Sequence, residues 1–333
     1  MATLATNWPT LLDLARRADP NGKIAQIAEI LNLQNELLDD IPWVEGNLPT
    51  GHKSTVRTGL PTPTWRKLYG GVLPQKSTTA QVTDTTGMLE AYAEIDKALL
   101  QLNGNSADWL LSEEKPFIEG FNQEIAMRLI YGSEATAPET FTGLAPRYNS
   151  LSALNAENII DAGGTGTDNT SIWLVVWGDA TVHGIVPKGS VAGLQSEDKG
   201  IVTVEQAPDG SGGRYEAHRT HYRWDAGLVL KDWRYVVRIA NVDKSDLTKD
   251  AATGADITDL MTQAIELIPN INMGRPVFYV TRKVRSILRR QIVNKVKNST
   301  LTMEDVAGRR VVAFDGIPVR RVDAMAADEA RIT

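Results

Sequence analysis

The chain has 333 residues, of which 42% are hydrophobic and 23% charged, an ordinary globular composition that excludes a disordered or collagen-like protein. The formal net charge of −6 argues against a dedicated nucleic-acid binder, and the absence of cysteine excludes disulfides and thiolate zinc sites. Because neither a signal peptide nor a bilayer-spanning apolar run is visible, we expect a soluble cytoplasmic protein with two domains, or one domain with long extensions.

The first 46 residues predict two short helices. Apolar residues within 11–15 mark the first helix, and an apolar stripe from Ile24 to Leu37 marks the second, which ends near Pro42. Helices this short cannot hold a core alone. We therefore interpret the segment as an N-terminal arm that lies across another part of the structure.

Residues 47–83 are rich in Gly, Pro and Thr, and short extended pieces at 53–58 and 80–82 flank a turn at 61–64. This pattern predicts a long hairpin-like excursion, which is either a partner-binding arm or a mobile loop. The basic residues that we expect to contact a partner here are Lys53, Arg57, Arg66, Lys67 and Lys76.

Two helices are predicted next. Apolar residues from Met88 to Leu102 recur at helical spacing and indicate the first helix, capped by a residue of 84–86. The second helix is predicted at 116–131, with an apolar residue at every fourth position and Gly132 as its C-terminal cap.

The rest of the chain predicts a mixture of strands and helices. The continuous apolar run 172–177 indicates a strand covered on both faces, whereas 233–239 alternates and indicates a strand with one mostly wet face. Turns are expected between 178 and 213. A helix at 259–267, strands at 276–280, 311–314 and 318–322, and a basic helix at 281–297 follow. This order predicts an α+β fold and argues against a doubly wound one.

The helix predicted at 281–297 carries seven positive charges around an apolar stripe, in a chain that is acidic overall. Such a surface is typical of contact with an acidic neighbouring subunit or with DNA, and equally of a solubilising outer face. The residues that we single out are Arg282, Arg285, Arg289 and Arg290.

An enzymatic function has no anchor residue in the sequence. His218, His221 and Glu216 would be the ligands of a metal-dependent hydrolase, but their spacing is not His-Glu-x-x-His. Residues three apart on a strand also point to opposite faces. Paired carboxylates at 39–40 and 113–114 fall at expected helix ends, where a solvated face is ordinary. We therefore expect no catalytic residue, metal or cofactor.

Six segments, in the correct order over most of 80–325, resemble the major capsid proteins of tailed double-stranded DNA bacteriophages. The likeness is to the Hong Kong 97-type fold, particularly in short-tailed phages of the epsilon-fifteen kind. The segments are 129–132 (LIYG), 138–144 (PETFTGL), 168–173 (DNTSIW), 182–189 (VHGIVPKG), 227–234 (GLVLKDWR) and 314–319 (FDGIPV). The resemblance implies a protein that builds a shell and is not an enzyme.

The resemblance also implies a domain organisation. It divides the chain into an N-terminal arm (1–46), an extended E-loop (47–83), a peripheral domain with the spine helix (84–150), a first axial part (151–185), peripheral strands and a loop (186–240), and a second axial part (241–333). Some family members cross-link a loop lysine to an asparagine of another subunit. Lys53, Lys67 and Lys76 are available for this, although no motif identifies the chemistry.

The implied function is self-assembly into hexamers and pentamers of an icosahedral head that encloses double-stranded DNA. We expect assembly in the bacterial host cytoplasm and a final location in the virion. Expected partners are other copies of the chain, a separate scaffolding protein, a portal, a decoration or cement protein, and DNA held without sequence specificity, with no membrane. The short arm predicts no proteolytic maturation. The alternatives are a tail or decoration protein, or the metal-dependent hydrolase.

Overall fold

The structure is a computed structural model that describes residues 9–10, 33–102, 106–205, 213–245, 247, 257–294, 301–306 and 309–333. The first helix predicted in the arm, and most of the second, lie outside these residues. Across the described ranges, no helix is long and apolar enough to cross a membrane.

Thirteen strands and five α-helices are assigned in the described ranges. The strands are β1 (Trp43–Glu45), β2 (Gly51–Gly59), β3 (Thr78–Asp96), β4 (Ile159–Asp161), β5 (Asn169–Trp177), β6 (Val182–Val186), β7 (Gln195–Val204), β8 (Tyr215–Leu230), β9 (Val236–Asp243), β10 (Arg275–Val280), β11 (Leu301–Val306), β12 (Arg309–Phe314) and β13 (Ile317–Arg321). The helices are α1 (Leu37–Asp40), α2 (Lys97–Gln101), α3 (Ser106–Tyr131), α4 (Ile257–Glu266) and α5 (Arg282–Asn294).

The chain divides into two compact units, and the first contains Met88–Ile125 and Gly193–Asp225. In this unit β7 pairs antiparallel with the first half of β8, and β3 is the neighbour of β8. Helix α3 covers these strands through Phe117 and Phe121, whose rings lie 5.5 and 6.3 Å from that of Tyr222. This aromatic cluster is the centre of a small core.

The second unit contains Gln34–Gly87, Ala126–Ala192 and Ala226–Thr333, and its sheet is built around β5. Strands β9 and β10 pair with β5 in antiparallel fashion, and β6 pairs with it in parallel. From β10 the sheet continues through parallel β13 to β12 and β11. All nine residues of β5 are buried, which confirms the strand predicted from the continuous apolar run.

Helices α4 and α5 close the core of the second unit. Met261 of α4 and Leu288 of α5 are fully buried in one apolar cluster with the side chains of β5, β9 and β10. In the same cluster Phe278 and Phe314 meet edge to face, with ring centroids 6.0 Å apart. The helices predicted at 259–267 and 281–297 thus correspond to α4 and α5, and residues 295–297 lie outside the described part of the chain.

The helix predicted from Met88 to Leu102 is wrong, because the chain is a strand to Asp96 and helical only at Lys97–Gln101. Leu89, Ala91 and Ala93 face the small aromatic core, and alternate residues face away from it. The alternation of small apolar residues that packs against α3 therefore overrides the four-residue spacing that suggested a helix.

Three other predictions of local structure also need correction. Helix α3 begins at Ser106, ten residues before the predicted start, and contains Pro116. The expected run of turns from 178 to 213 contains strands β6 and β7. The strand predicted at 233–239 begins only at Val236, after a 3-10 turn at Trp233–Tyr235, and its predicted wet face is wrong because Arg238 is buried. The burial of this arginine depends on a partner that is far away in sequence.

The partner is Glu329, whose Oε2 lies 2.8 Å from Arg238 Nη2. The guanidinium also donates to the Tyr148 carbonyl and to Ser171 Oγ, at 2.8 and 3.0 Å, and lies 4.9 Å from the Trp173 ring centroid. Glu329 in turn accepts hydrogen bonds from Tyr131 and Ser171. This network fastens the C-terminal segment to the central sheet.

We predict that Glu329→Gln lowers the free energy of unfolding by about 3–5 kcal/mol, because it leaves the buried Arg238 charge without its carboxylate. Urea unfolding followed by circular dichroism measures this change. Glu197→Gln is the matched control, since Glu197 pairs with Lys199 at an exposed site where a loss of about 0.2–1 kcal/mol is expected. Equal effects of the two substitutions would contradict the proposed role of the network.

Candidate assembly surfaces

The hairpin of β2 and β3 ends in a long unpaired loop. Regular pairing stops at Gly59 and Thr78, and we call the segment 60–77 the loop tip. Only short-range bonds organise it, such as Thr62 N to Gln75 Oε1 at 2.6 Å and Gly70 N to the Lys67 carbonyl at 3.0 Å. The loop tip therefore has almost no packing against its own chain.

Large apolar side chains cover the loop tip and are exposed to solvent. They are Leu60 (78% exposed), Trp65 (98%), Leu68 (83%), Tyr69 (95%), Val72 (52%) and Leu73 (84%). Single exposed apolar residues are normal, but six large ones within the segment 60–77 mark an interaction site. The apolar side chains of the hairpin are thus concentrated at its tip.

The same excursion is purely cationic. Residues 47–83 contain no Asp or Glu, and all five of the basic residues singled out above are exposed: Lys53, Arg57, Arg66, Lys67 and Lys76. Removing these five charges from the net charge of −6 leaves −11 on the rest of the chain. The loop is therefore electrostatically complementary to the remainder of another copy.

The acidic charge is concentrated in the first unit. Residues 88–125 contain eight acidic and two basic residues, a net charge of −6 over this segment. Helix α3, which lies mostly in this segment, also exposes the apolar residues Leu111 (53%) and Ile118 (52%) seven positions apart on one face. Acidic and apolar groups thus occur together there, as basic and apolar groups do on the loop tip.

The arginines of the basic helix α5 fall into two groups, those in ion pairs within the subunit and those exposed to solvent. Arg282 pairs with Asp323 at 3.0 Å, and Arg285 pairs with Glu36 at 3.1 Å, both within the second unit. Arg289 and Arg290 are exposed, and Arg290 donates to Ser286 Oγ. The first two arginines of the predicted surface therefore hold the subunit together, and the last two face solvent.

A cluster of ion pairs fixes the segment Gln34–Asp40 to the second unit. Asp40 is buried and accepts hydrogen bonds from Arg275 at 2.8 Å and from Tyr279 at 3.1 Å. Burial raises the pKa of Asp40, although the neighbouring arginines oppose this. Asp40 is thus not on the solvated helix end that the sequence suggested, and this part of the predicted arm lies on its own subunit.

The three residues considered as metal ligands all lie on β8, and each contacts a different partner. His221 lies 3.3 Å from Glu90 and stacks on Tyr92, His218 lies 3.2 Å from Asp198, and Glu216 pairs with Lys97. In the described part of the chain, no group of three or more His, Asp or Glu is arranged to hold a metal ion. The geometry does not support a hydrolytic site at these positions.

A cavity of about 560 Å³ lies beside the C-terminal segment, lined by Tyr131, Arg238, Glu329 and Thr333 among others. Its buried charged groups are hydrogen-bonded to one another in the network described above. They are therefore already satisfied without a ligand.

Comparison with known proteins identifies the family. The sequence profile of the family Major capsid protein GP7 matches residues 19–333. A solved structure of bacteriophage Epsilon15 contains a chain that is 39% identical, with a TM-score of 0.77 and coverage of 100% of both chains. The chain belongs to the Major capsid protein GP7 family.

Two further capsid structures are matched at low identity. The bacteriophage JBD30 capsid is 10% identical, with a TM-score of 0.47 and coverage of 96% of this chain and 95% of that one. The capsid of a native GTA particle is also 10% identical, with a TM-score of 0.46 and coverage of 68% and 95%. No curated protein matches the sequence.

Membership of this capsid protein family confirms the predicted α+β, Hong Kong 97-type capsid fold. It also confirms that the chain is a structural protein of a phage shell and not an enzyme. As a capsid protein, the chain is a component of the virion.

We predict that acid weakens the attachment of Gln34–Asp40 through Asp323. Burial alone would raise the pKa of Asp323, but hydrogen bonds from Arg321, Arg282 and the Gln34 amide outweigh it and lower the pKa to about 2. Because this pKa is below the unfolded value of about 3.8–3.9, the stabilisation is complete above that value and is lost as the pH falls towards 2.

The measurement is urea unfolding of wild type and Asp323→Asn at pH 5 and pH 2.5. Wild type should lose about 1–2 kcal/mol more than the variant between these two pH values. Asp315→Asn is the control, since Asp315 is exposed and Asn also tolerates its positive φ of 49°. An identical acid response of wild type and Asp323→Asn would refute the prediction.

Proposed function

We propose that the chain assembles into the hexamers and pentamers of an icosahedral phage head that encloses packaged double-stranded DNA. The observation that carries this proposal is the exposed, apolar and purely cationic loop tip on an otherwise acidic subunit. Such a segment gains burial only on a partner, and a closed lattice provides one at every position. Many modest contacts of this kind stabilise a shell through multivalency.

The partner of the loop tip in this proposal is a second copy of the chain. Burying a large apolar side chain that is otherwise exposed contributes about 1.5–3 kcal/mol. Trp65 and Tyr69 belong to the residue types that most often dominate interface energies. The basic residues around them, such as Arg66 and Lys67, would steer the loop tip towards the acidic part of the neighbour.

The surface that we propose as the acceptor is helix α3 of the neighbouring copy, the spine helix implied by the family resemblance. It offers the exposed Leu111 and Ile118 within the acidic segment 88–125. Apolar groups of the loop tip would pack on these side chains, and its lysines and arginines would approach the surrounding carboxylates. The proposed contact therefore combines apolar packing with attraction between opposite charges.

The domain organisation implied by the resemblance is also part of the proposal. The first unit would supply most of the peripheral domain, and the second unit would supply the axial domain and the E-loop. The end of the predicted N-terminal arm, Leu33 and Gln34–Asp40, is bound within its own subunit, and most of the residues before it lie outside the described part of the chain.

Further partners are proposed from the same role. A separate scaffolding protein would guide assembly in the host cytoplasm, and a portal and a decoration protein would complete the head. The acidic net charge favours confining DNA without sequence-specific binding. Arg289 and Arg290 of α5 are the cations of the basic helix that remain available to an acidic neighbour or to DNA.

We predict that the quadruple variant Trp65→Ser, Leu68→Ser, Tyr69→Ser and Leu73→Ser folds normally but does not form shells. Each of these side chains is at least 83% exposed, so the subunit loses little stability while the interface loses its apolar anchors. Negative-stain electron microscopy and light scattering, under conditions in which wild type assembles, provide the readout.

The matched control for this variant is Leu154→Ser with Val191→Ser, two exposed apolar residues outside the loop tip. This control should assemble as wild type does. Replacing residues 60–77 by an Asn-Gly turn should abolish shells in the same way as the serine variant. Normal particles from either loop-tip variant would rule out the assigned role of the loop.

We also predict that Arg66→Glu with Lys67→Glu slows assembly at low salt by tenfold or more, because charge attraction to the acidic acceptor becomes repulsion. Light scattering at increasing salt concentration should show the rates of wild type and variant converging as charges are screened. Lys188→Glu with Arg331→Glu produces the same change in net charge at exposed sites elsewhere. An equal slowing by this control would mean that only net charge matters.

A further inference from the structure

Two histidines meet at the root of the extended hairpin. His52 on β2 lies opposite Asp84 of β3 in the strand register, and His183 lies on β6 opposite Val229. Their rings are 5.8 Å apart and meet edge to face at 86°. All of these strand segments belong to the second unit, so the pair joins the hairpin to the central sheet.

The surroundings of this pair leave buried polar groups without partners. His183 is only 1% exposed, and neither of its ring nitrogens makes a hydrogen bond of ordinary geometry. Other unpartnered buried atoms on the same strands are His52 Nδ1, Ser54 Oγ, Asp84 Oδ2 and Thr85 Oγ1. Most buried polar groups in proteins are satisfied, so this group of unpartnered atoms at the hairpin root is a local source of instability.

Burial and the nearby charges disfavour protonation of the two rings. Burial lowers the pKa of His183 most, Lys231 and His52 lower it further, and Asp179 and the Gly178 carbonyl only partly oppose them, so that it is about 4. Burial and then Lys231 also lower the pKa of His52, against the effect of Asp84. Asp84 is itself paired with Arg147 at 2.8 Å, which limits its help to an imidazolium.

We propose that His52 and His183 form an acid-sensitive latch that keeps the root of the hairpin closed while both rings are neutral. A proton taken from solvent by either imidazole places a buried positive charge beside Lys231, which Asp84, Asp179 and the Gly178 carbonyl compensate only in part. Opening of β2 from β6 exposes the charged ring to water and relieves the repulsion. The latch acts within one subunit and does not depend on shell formation.

The direction of the pH dependence follows from the pKa values. In the closed root the pKa of His183 is about 4, below the ordinary value of about 6.5 that an exposed imidazole regains in the open state. The open state therefore binds the proton more tightly. The contribution to closure is complete above about pH 6.5 and declines as the pH falls towards 4.

The test is hydrogen–deuterium exchange of the purified subunit at pH 7.5 and pH 4.5, corrected for the intrinsic exchange rate. In wild type we expect the amides of Gly51–Gly59 and of 78–85 to open on the order of 50-fold more often at the lower pH, while β5 stays protected. His183→Gln and His52→Gln should each reduce this acid response.

Controls separate the latch from a general effect of acid. His218→Gln and His221→Gln remove histidines of the first unit that face carboxylates, and should leave the response of the hairpin root unchanged. Lys231→Met should raise the pKa of both latch histidines and make the response smaller. An undiminished acid response in His183→Gln, or equal loss of protection in β5, would overturn the proposal.

A second measurement needs no variant that might fail to fold. With only four histidines in the chain, nuclear magnetic resonance of labelled imidazoles resolves each titration. The His183 ring should titrate near pH 4, and the midpoint of the His52 ring should lie below the ordinary value of about 6.5. Titration of all four rings near pH 6.5 would overturn the latch, and shells could still form in that case.

Discussion

The buried strand β5 is the constraint on which the rest of the structure depends. Its nine residues are all buried, β9 and β10 occupy its two edges, and side chains from α4 and α5 join the apolar cluster on the sheet. A strand enclosed on every side has no access to water, so a polar group brought beside it must bring its own partner. Arg238 on β9 obeys this rule through Glu329, which is why the C-terminal segment is part of the core.

In addition to its apolar core, the subunit buries several ion pairs and exposes large apolar side chains on the loop tip. Buried or half-buried ion pairs such as Glu36–Arg285 and Asp40–Arg275 join segments that are far apart in sequence. The largest exposed apolar groups lie on the loop tip, where the subunit has nothing to cover them. A protein that completes its own fold in this way, and leaves its apolar contact area on a projecting loop, is suited to repeated assembly with identical copies.

Much of the fold and part of the candidate surfaces could be predicted from local pattern. The apolar run of β5, the amphipathic stripe of α5 and the Gly- and Pro-rich hairpin each have a periodicity or composition that needs no tertiary information. The segment Met88–Asp96 was misread because its apolar residues fit both a helix and a strand, and only packing against Phe121 and Tyr222 decides between them. The partition of α5 into paired and exposed arginines depends on Glu36 and Asp323, which no local window contains.

The sequence by itself determined the class of the fold, its central strand, the cationic character of the loop and the capsid-type order of segments, because periodicity, composition and motif order are properties of the chain alone. Only the tertiary structure decided which charges are neutralised, which apolar residues stay exposed and which histidines meet. Those outcomes depend on distances between residues such as Arg238 and Glu329, or His52 and His183, that are separated by about a hundred positions or more and approach only when the sheet has formed.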